Sequence, residues 1–186
     1  MATSSFGPGA LATPANAITL ARVLMLPVLV FLVLGSGRSW QAFSLWFVLA
    51  ISDVADGWLA RRHGVTRSGA FLDPLADKII VLGAMTALVA KGIVWWLPVS
   101  LIAAREVAIS AYRSYVGRRG ISVPARLSGK VKTWVQCIAV ALALVPTTSS
   151  AWKAGVVAAM WMAVGITLAT GLQYLLDGRR PTELAR

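Results

Sequence analysis

Four aspartates, Asp53, Asp56, Asp73 and Asp77, stand within 25 residues of one another in a stretch with strongly apolar flanks, although the chain has only seven acidic residues. No other feature limits the possible folds as much. An ionised Asp deep in a bilayer costs about 2.5–3.5 kcal/mol even on the mildest insertion scale, so four unpaired ones would cancel much of a helix's drive to insert. Something must neutralise them. Divalent metal suits the task, because hard cations take carboxylate oxygens together with waters and substrate phosphates.

The apolar setting extends to the whole chain. Of its 186 residues, 58% are hydrophobic and 13% charged, against about a quarter charged in an ordinary soluble domain. The expected class is therefore all-α and integral to a membrane. The length suits one compact helical domain without a separate soluble one. The net charge of +11 would also suit a nucleic-acid binder, but long apolar runs exclude that class. It fits a cytoplasmic membrane face with anionic lipids and phosphate-bearing substrates. Cys137 is the single cysteine, so no intrachain disulfide forms, and its apolar run predicts a buried, inert thiol.

Residues 1–16 carry no charge, lack the basic start of a secretory signal and are expected to be a flexible tail. Six apolar segments follow over residues 17–178: helix one at about 17–34, with Arg22 snorkelling to the interface; helix two at 40–61; helix three at 69–90; helix four from Trp95 and Trp96 to about 116; helix five at about 126–145; helix six at about 151–176. Residues 179–186 form a short basic tail. Arg61, Arg62 and Arg67, then Arg118, Arg119, Arg126, Lys130 and Lys132, then the tail arginines all fall on one side of a six-span layout. Arg38, Lys91 and Lys153 fall on the other. The positive-inside rule places both termini and the aspartates at the cytoplasmic face of the cell membrane.

Asp53 and Asp56 are three residues apart, and Asp73 and Asp77 four, so each pair shares one helix face. A short link makes helices two and three antiparallel neighbours, which predicts a six-transmembrane-helix bundle with its active site at the cytoplasmic ends of those two helices. Four convergent carboxylates can hold two metal ions, the arrangement that clamps attacking and leaving oxygens in displacement at phosphorus. Gly57 and Gly69 remove side chains where a ligand or facing helix must come close, and Pro74 predicts a local kink beside Asp73. By contrast, Gly83, Gly155, Gly165 and Gly171 are expected to serve helix packing. His63, the single histidine, is expected to be solvated.

Taken together, Asp53, Asp56, Gly57, Ala60, Arg61, Gly69, Asp73 and Asp77 resemble the signature of the CDP-alcohol phosphotransferase family of integral membrane enzymes, DxxDGxxAR followed by GxxxDxxxD. All eight positions match, with seven residues between Arg61 and Gly69. The resemblance covers the six-helix layout and implies a reaction in which an alcohol hydroxyl attacks the β-phosphorus of a CDP-linked lipid and CMP leaves. It further implies that Asp53, Asp56, Asp73 and Asp77 hold two divalent ions, Mg²⁺ or Mn²⁺, and that Asp77 is the general base. Gly57, Ala60, Arg61 and Gly69 would line the CDP site, and the enzyme would be a homodimer.

Within the family, Arg105-Glu106-Val107, Arg113, Val123-Pro124, Lys130-Val131-Lys132-Thr133 and Gln136 resemble the branch that uses CDP-diacylglycerol and glycerol 3-phosphate. A phosphorylated acceptor needs cations, and Arg105, Arg113, Lys130 and Lys132 are the candidates for binding its phosphate through charge-assisted hydrogen bonds. Arg105 has the alternative of pairing with Glu106 or a signature Asp. Ser114 stands where that branch often has an acidic residue. Inositol phosphate and phosphatidylglycerol are the competing acceptors. A divalent-cation transporter is the competitor from another class, since membrane carboxylates also mark ion paths; a passive scaffold leaves the aspartates without a cause. Proteoliposomes without CDP-lipid separate enzyme from transporter: the enzyme reading expects no metal flux, and flux measured with an entrapped metal indicator would overturn it.

Overall fold

The computed structural model describes the backbone of residues 14–63, 67–118 and 127–178, and the side chains of residues 16–52, 74–112, 114–116 and 131–176. Among the described residues all regular structure is helical: α1 (Pro14–Ser36), α2 (Trp40–His63), α3 (Arg67–Ala90), α4 (Trp96–Arg118), α5 (Leu127–Leu144) and α6 (Ser150–Gly178). The boundaries shift from expectation mainly at two starts. α1 begins at Pro14, inside the expected tail, because proline in a first turn forfeits no intrahelical bond and its φ suits a helix. α3 begins at Arg67, two residues before Gly69, and runs on through Pro74. The remainder of the two expected tails, 1–13 and 179–186, lies outside the described residues.

Local chemistry fixes several helix ends. Gly37, at φ +69°, follows α1, and its N–H donates to the Val33 carbonyl at 2.9 Å, a left-handed cap that suits a residue without Cβ. α3 closes more completely: Gly92 has φ +71°, its N–H donates to Val89 O at 2.8 Å, and Ile93 N–H reaches back to Leu88 O at 2.9 Å. This double bond pattern satisfies two end carbonyls. Ser39 starts α2, its Oγ accepting from Ala42 N–H at 3.2 Å, as an N-cap serine does.

Two helices have the length and composition of membrane spans, Asn16–Ser36 with mean hydropathy 2.5 and Ser150–Leu176 with 1.8. At 1.5 Å per residue each exceeds the roughly 30 Å of a hydrocarbon core. Their outward faces agree: Leu20, Leu24 and Phe31 on α1, and Val157, Leu168 and Leu172 on α6, are exposed. Exposed apolar rows of this kind are costly in water and suited to lipid. The apolar parts of α2 and α5, Trp40–Ser52 and Val131–Leu144, are shorter.

The chain divides into two units, residues 1–94 with 140–148, and residues 95–139 with 149–186. In the first, α1 packs against both α2 and α3. α1 and α3 run parallel, in a register marked at three levels: Arg22 meets Asp77, Leu26 meets Gly83, and Lys91 Nζ donates to the Leu34 and Gly35 carbonyls at 2.7 and 3.0 Å. Lys91 places a cation where α1 exposes its unsatisfied carbonyls and the negative end of its dipole. Leu29, Val33, Trp46, Met85 and Leu88 fill this unit's core. In the second unit α4 packs on α6, around Val99, Ile102, Met160 and Val164.

Two expectations are corrected by this packing. Cys137 is half-buried rather than buried. Of the four glycines expected to serve close packing, Gly83 and Gly171 do, whereas a Cβ at Gly155 or Gly165 would meet nothing within 4 Å among the described residues. A Cβ at Gly83 would come within 2.8 Å of Leu26 Cδ2. Gly83→Val is therefore expected to destabilise the protein by about 1–3 kcal/mol through overpacking. Gly155→Ala should be neutral or stabilising by up to about 1 kcal/mol, and thermal unfolding of both variants in detergent micelles checks the contrast.

Candidate functional site

The backbone places the eight signature residues on two helices. Asp53, Asp56, Gly57, Ala60 and Arg61 lie in the last turns of α2, and Gly69, Asp73 and Asp77 in the first turns of α3. Because both segments are continuous helix, each aspartate pair sits one turn apart on its own helix, as the spacing predicts. The side chains of Asp53, Asp56, Ala60, Arg61 and Asp73, and the surroundings of Gly57 and Gly69, lie outside the described residues. Among the described residues no three metal-donor side chains cluster, three of the four aspartates falling outside them. α1, packed against both signature helices, is the described element common to their surroundings.

Asp77 is the signature carboxylate with a described side chain. Arg22 Nη2 on α1 donates to Asp77 Oδ1 at 2.6 Å. The Arg22 side chain is 5% exposed and that of Asp77 32%. The expectation that Arg22 snorkels to the interface is thus corrected: it turns inward, because a buried guanidinium is tolerable only beside an anion. Asp77 is oriented from one side and still reachable from another. This geometry is compatible with a carboxylate that takes a proton or shares a cation, since such carboxylates are commonly held by an outer hydrogen-bond donor.

Arg22 ends a polar stripe. Asn16, Thr19 and Arg22 are all buried, and their spacing of three residues places them on one face of α1, which continues through the buried Leu29 and Val33. The inward face of α1 is therefore polar in its first half and apolar in its second. This pattern was available in the sequence as three polar residues at helical spacing in an otherwise apolar start.

The second unit contains a separate buried polar network. Glu106, buried on α4, accepts from Arg105 Nη1 at 2.9 Å and from Lys132 Nζ of α5 at 2.5 Å. Arg105 Nη2 donates to Thr170 Oγ1 of α6 at 3.1 Å, and Gln136 Nε2 donates to the fully buried Thr167 Oγ1 at 2.8 Å. A Cβ at position 171 would stand 2.8 Å from Arg105 Nε, so Gly171 makes room for the arginine on α6. Of the four cations expected to bind an acceptor phosphate, the structure brings Arg105 and Lys132 together on one carboxylate. The side chains of Arg113 and Lys130 lie outside the described residues. The alternative expectation that Arg105 pairs with Glu106 is met, and Gly171 serves packing as expected, whereas Thr167 and Thr170 had no assigned role.

Known proteins place this arrangement. The family described as CDP-alcohol phosphatidyltransferase matches residues 12–171, which takes in both signature helices, Arg22 and the network around Glu106. A protein of Mycobacterium tuberculosis (strain ATCC 25618 / H37Rv), named probable phosphatidylglycerophosphate synthase, is 38% identical over 181 residues, covering 94% of this chain and 85% of the relative. A protein of Escherichia coli (strain K12), named CDP-diacylglycerol–glycerol-3-phosphate 3-phosphatidyltransferase, is 40% identical over 169 residues, covering 87% of this chain and 92% of the relative. With an intact signature on two consecutive helices of the chain and a match running through nearly all of it, the protein belongs to the CDP-alcohol phosphatidyltransferase family of enzymes.

Proposed function

We propose that the protein transfers the phosphatidyl group of CDP-diacylglycerol to glycerol 3-phosphate, giving phosphatidylglycerophosphate and CMP. The observation that carries this reading is the near-full-length similarity to relatives named for that reaction, together with a reachable Asp77 held by Arg22. In the reaction the acceptor oxygen forms a bond to the β-phosphorus, the bond from that phosphorus to the CMP oxygen breaks, and the hydroxyl proton passes to Asp77. CMP departs as a phosphate anion.

Asp53, Asp56, Asp73 and Asp77 are assigned to hold two divalent ions. An all-carboxylate donor set suits Mg²⁺ or Mn²⁺, which prefer oxygen ligands. When bound, such ions offset the pyrophosphate charge and make the phosphorus more electrophilic. Gly57, Ala60, Arg61 and Gly69 are assigned to the CDP moiety, where small residues let the nucleotide approach the backbone closely. Arg105, Arg113, Lys130 and Lys132 are assigned to recognition of the acceptor phosphate, which distinguishes glycerol 3-phosphate from an uncharged alcohol. Glu106 would hold Arg105 and Lys132 in place for that purpose. The apolar helices support a cell-membrane location. We assign six crossings, with both termini and the active site on the cytoplasmic side, and a homodimer.

Two measurements test the reading. Purified protein given CDP-diacylglycerol with one alcohol at a time should release CMP with glycerol 3-phosphate and not with inositol phosphate or phosphatidylglycerol; the reverse preference would move it to another branch. Asp77→Asn, which keeps an oxygen for Arg22 to donate to, should lower turnover by about 10²- to 10⁴-fold, the usual scale of a lost general base. CDP-diacylglycerol binding by that variant should be largely retained, and wild-type turnover would refute the base assignment.

A further inference from the structure

The reaction assigned above uses Asp77 but leaves Arg22 without a task, and the environment of Arg22 is unusual. Its side chain is 95% removed from solvent by the fractional exposure given above, on a helix whose other outward and core positions are largely apolar. A charge of this kind is strongly disfavoured in an apolar environment unless it is paired and hydrogen-bonded. Its stated partner lies 55 residues away on another helix, so the pair forms only when α1 and α3 are in register. That register is held independently of the pair. Leu26, one turn beyond Arg22, packs onto Gly83, and Lys91 ties the end of α3 to the end of α1. Arg22 is therefore delivered to Asp77 by packing and does not itself have to create the helix pairing.

A guanidinium suits orientation more than anchorage. It is planar, keeps its charge throughout the accessible pH range and donates along fixed directions, so a short bond to one carboxylate oxygen restricts rotation of the Asp77 side chain about its last torsion. A terminal carboxylate torsion is otherwise broad. Proton transfer requires the accepting oxygen within hydrogen-bond reach of the attacking hydroxyl, and misplacement by about 1 Å can cost 10²-fold in rate.

We propose that Arg22 is a positioning residue for this phosphatidyl transfer: it fixes the Asp77 carboxylate through Oδ1 so that the group is presented to the incoming hydroxyl in one orientation. This rests on the assignment of Asp77 as general base. Arg22 touches neither substrate nor reacting atom in this role and acts through Asp77.

The test uses the full-length protein in lipid nanodiscs, with single-turnover and steady-state CMP release, and thermal unfolding measured in parallel. Arg22→Gln should lower kcat by about 10- to 100-fold, the usual scale for losing an outer partner of a functional side chain. The KM values for CDP-diacylglycerol and glycerol 3-phosphate should change far less. Arg22→Lys, which keeps the charge but loses the planar fork, should recover part of the rate and serves where the Gln variant does not fold. In the Asp77→Asn background, Arg22→Gln should cause no further loss of the residual rate, because a residue that acts through Asp77 has nothing left to orient. Equal losses in both backgrounds, or wild-type kcat in Arg22→Gln with Asp77→Asn inactive, would overturn the role of Arg22 alone. Wild-type turnover in Asp77→Asn would overturn the base assignment and this inference with it.

Discussion

A guanidinium withdrawn from solvent has to be met by an anion, and α1 meets that requirement by packing in register on α3. Helices surrounded by lipid gain little from burying apolar surface against each other, so close packing and polar contacts decide which faces meet. On α1 the polar contacts come first, with Asn16, Thr19 and Arg22 on one buried face; close packing follows at Leu26 against Gly83. Packing at Gly83 and the Lys91 tie hold the two helices in register, and the ion pair disfavours rotations of α1 that would leave Arg22 unpaired. Each would be less decisive alone, since an apolar helix against apolar neighbours has many nearly equivalent rotations.

The second unit applies the same rule with the signs exchanged. Here the anion, Glu106, is the deeply buried member, and two cations from different helix positions converge on one of its oxygens. Gly171 performs for Arg105 what Gly83 does for Leu26, admitting a long side chain against a helix backbone. Thr170 then adds the hydrogen bond that a guanidinium clamped between helices needs on its other side. Polar side chains buried in such a setting are costly unless satisfied, so the network specifies how α4, α6 and the start of α5 pair within this unit.

How far the sequence discloses all this depends on how local each feature is. The helices were legible because apolar runs end at glycines and short polar turns, and Gly37 and Gly92 stop α1 and α3 through the left-handed conformation that glycine permits. The signature was legible because its residues lie close together in the chain. Arg22 was not, because an arginine near a helix start can turn out to the interface or in to a partner, and the deciding partner is 55 residues away. Four glycines in apolar helices look alike in sequence, yet what faces Gly83 and Gly171 does not face Gly155 or Gly165. Cys137 likewise sits in an apolar run, and the run alone does not say which side of its helix is covered.

Lys91 has a mechanical consequence. By holding the final carbonyls of α1 from the end of α3, it closes the far end of a parallel pair that Arg22 and Asp77 close at the near end. Two rods fastened at both ends do not slide past each other. For α1, which has the length and composition of a span, a mismatch with bilayer thickness is met by tilting or by deforming the lipid rather than by sliding along α3. The arginine and the aspartate therefore keep their mutual alignment in membranes of different thickness.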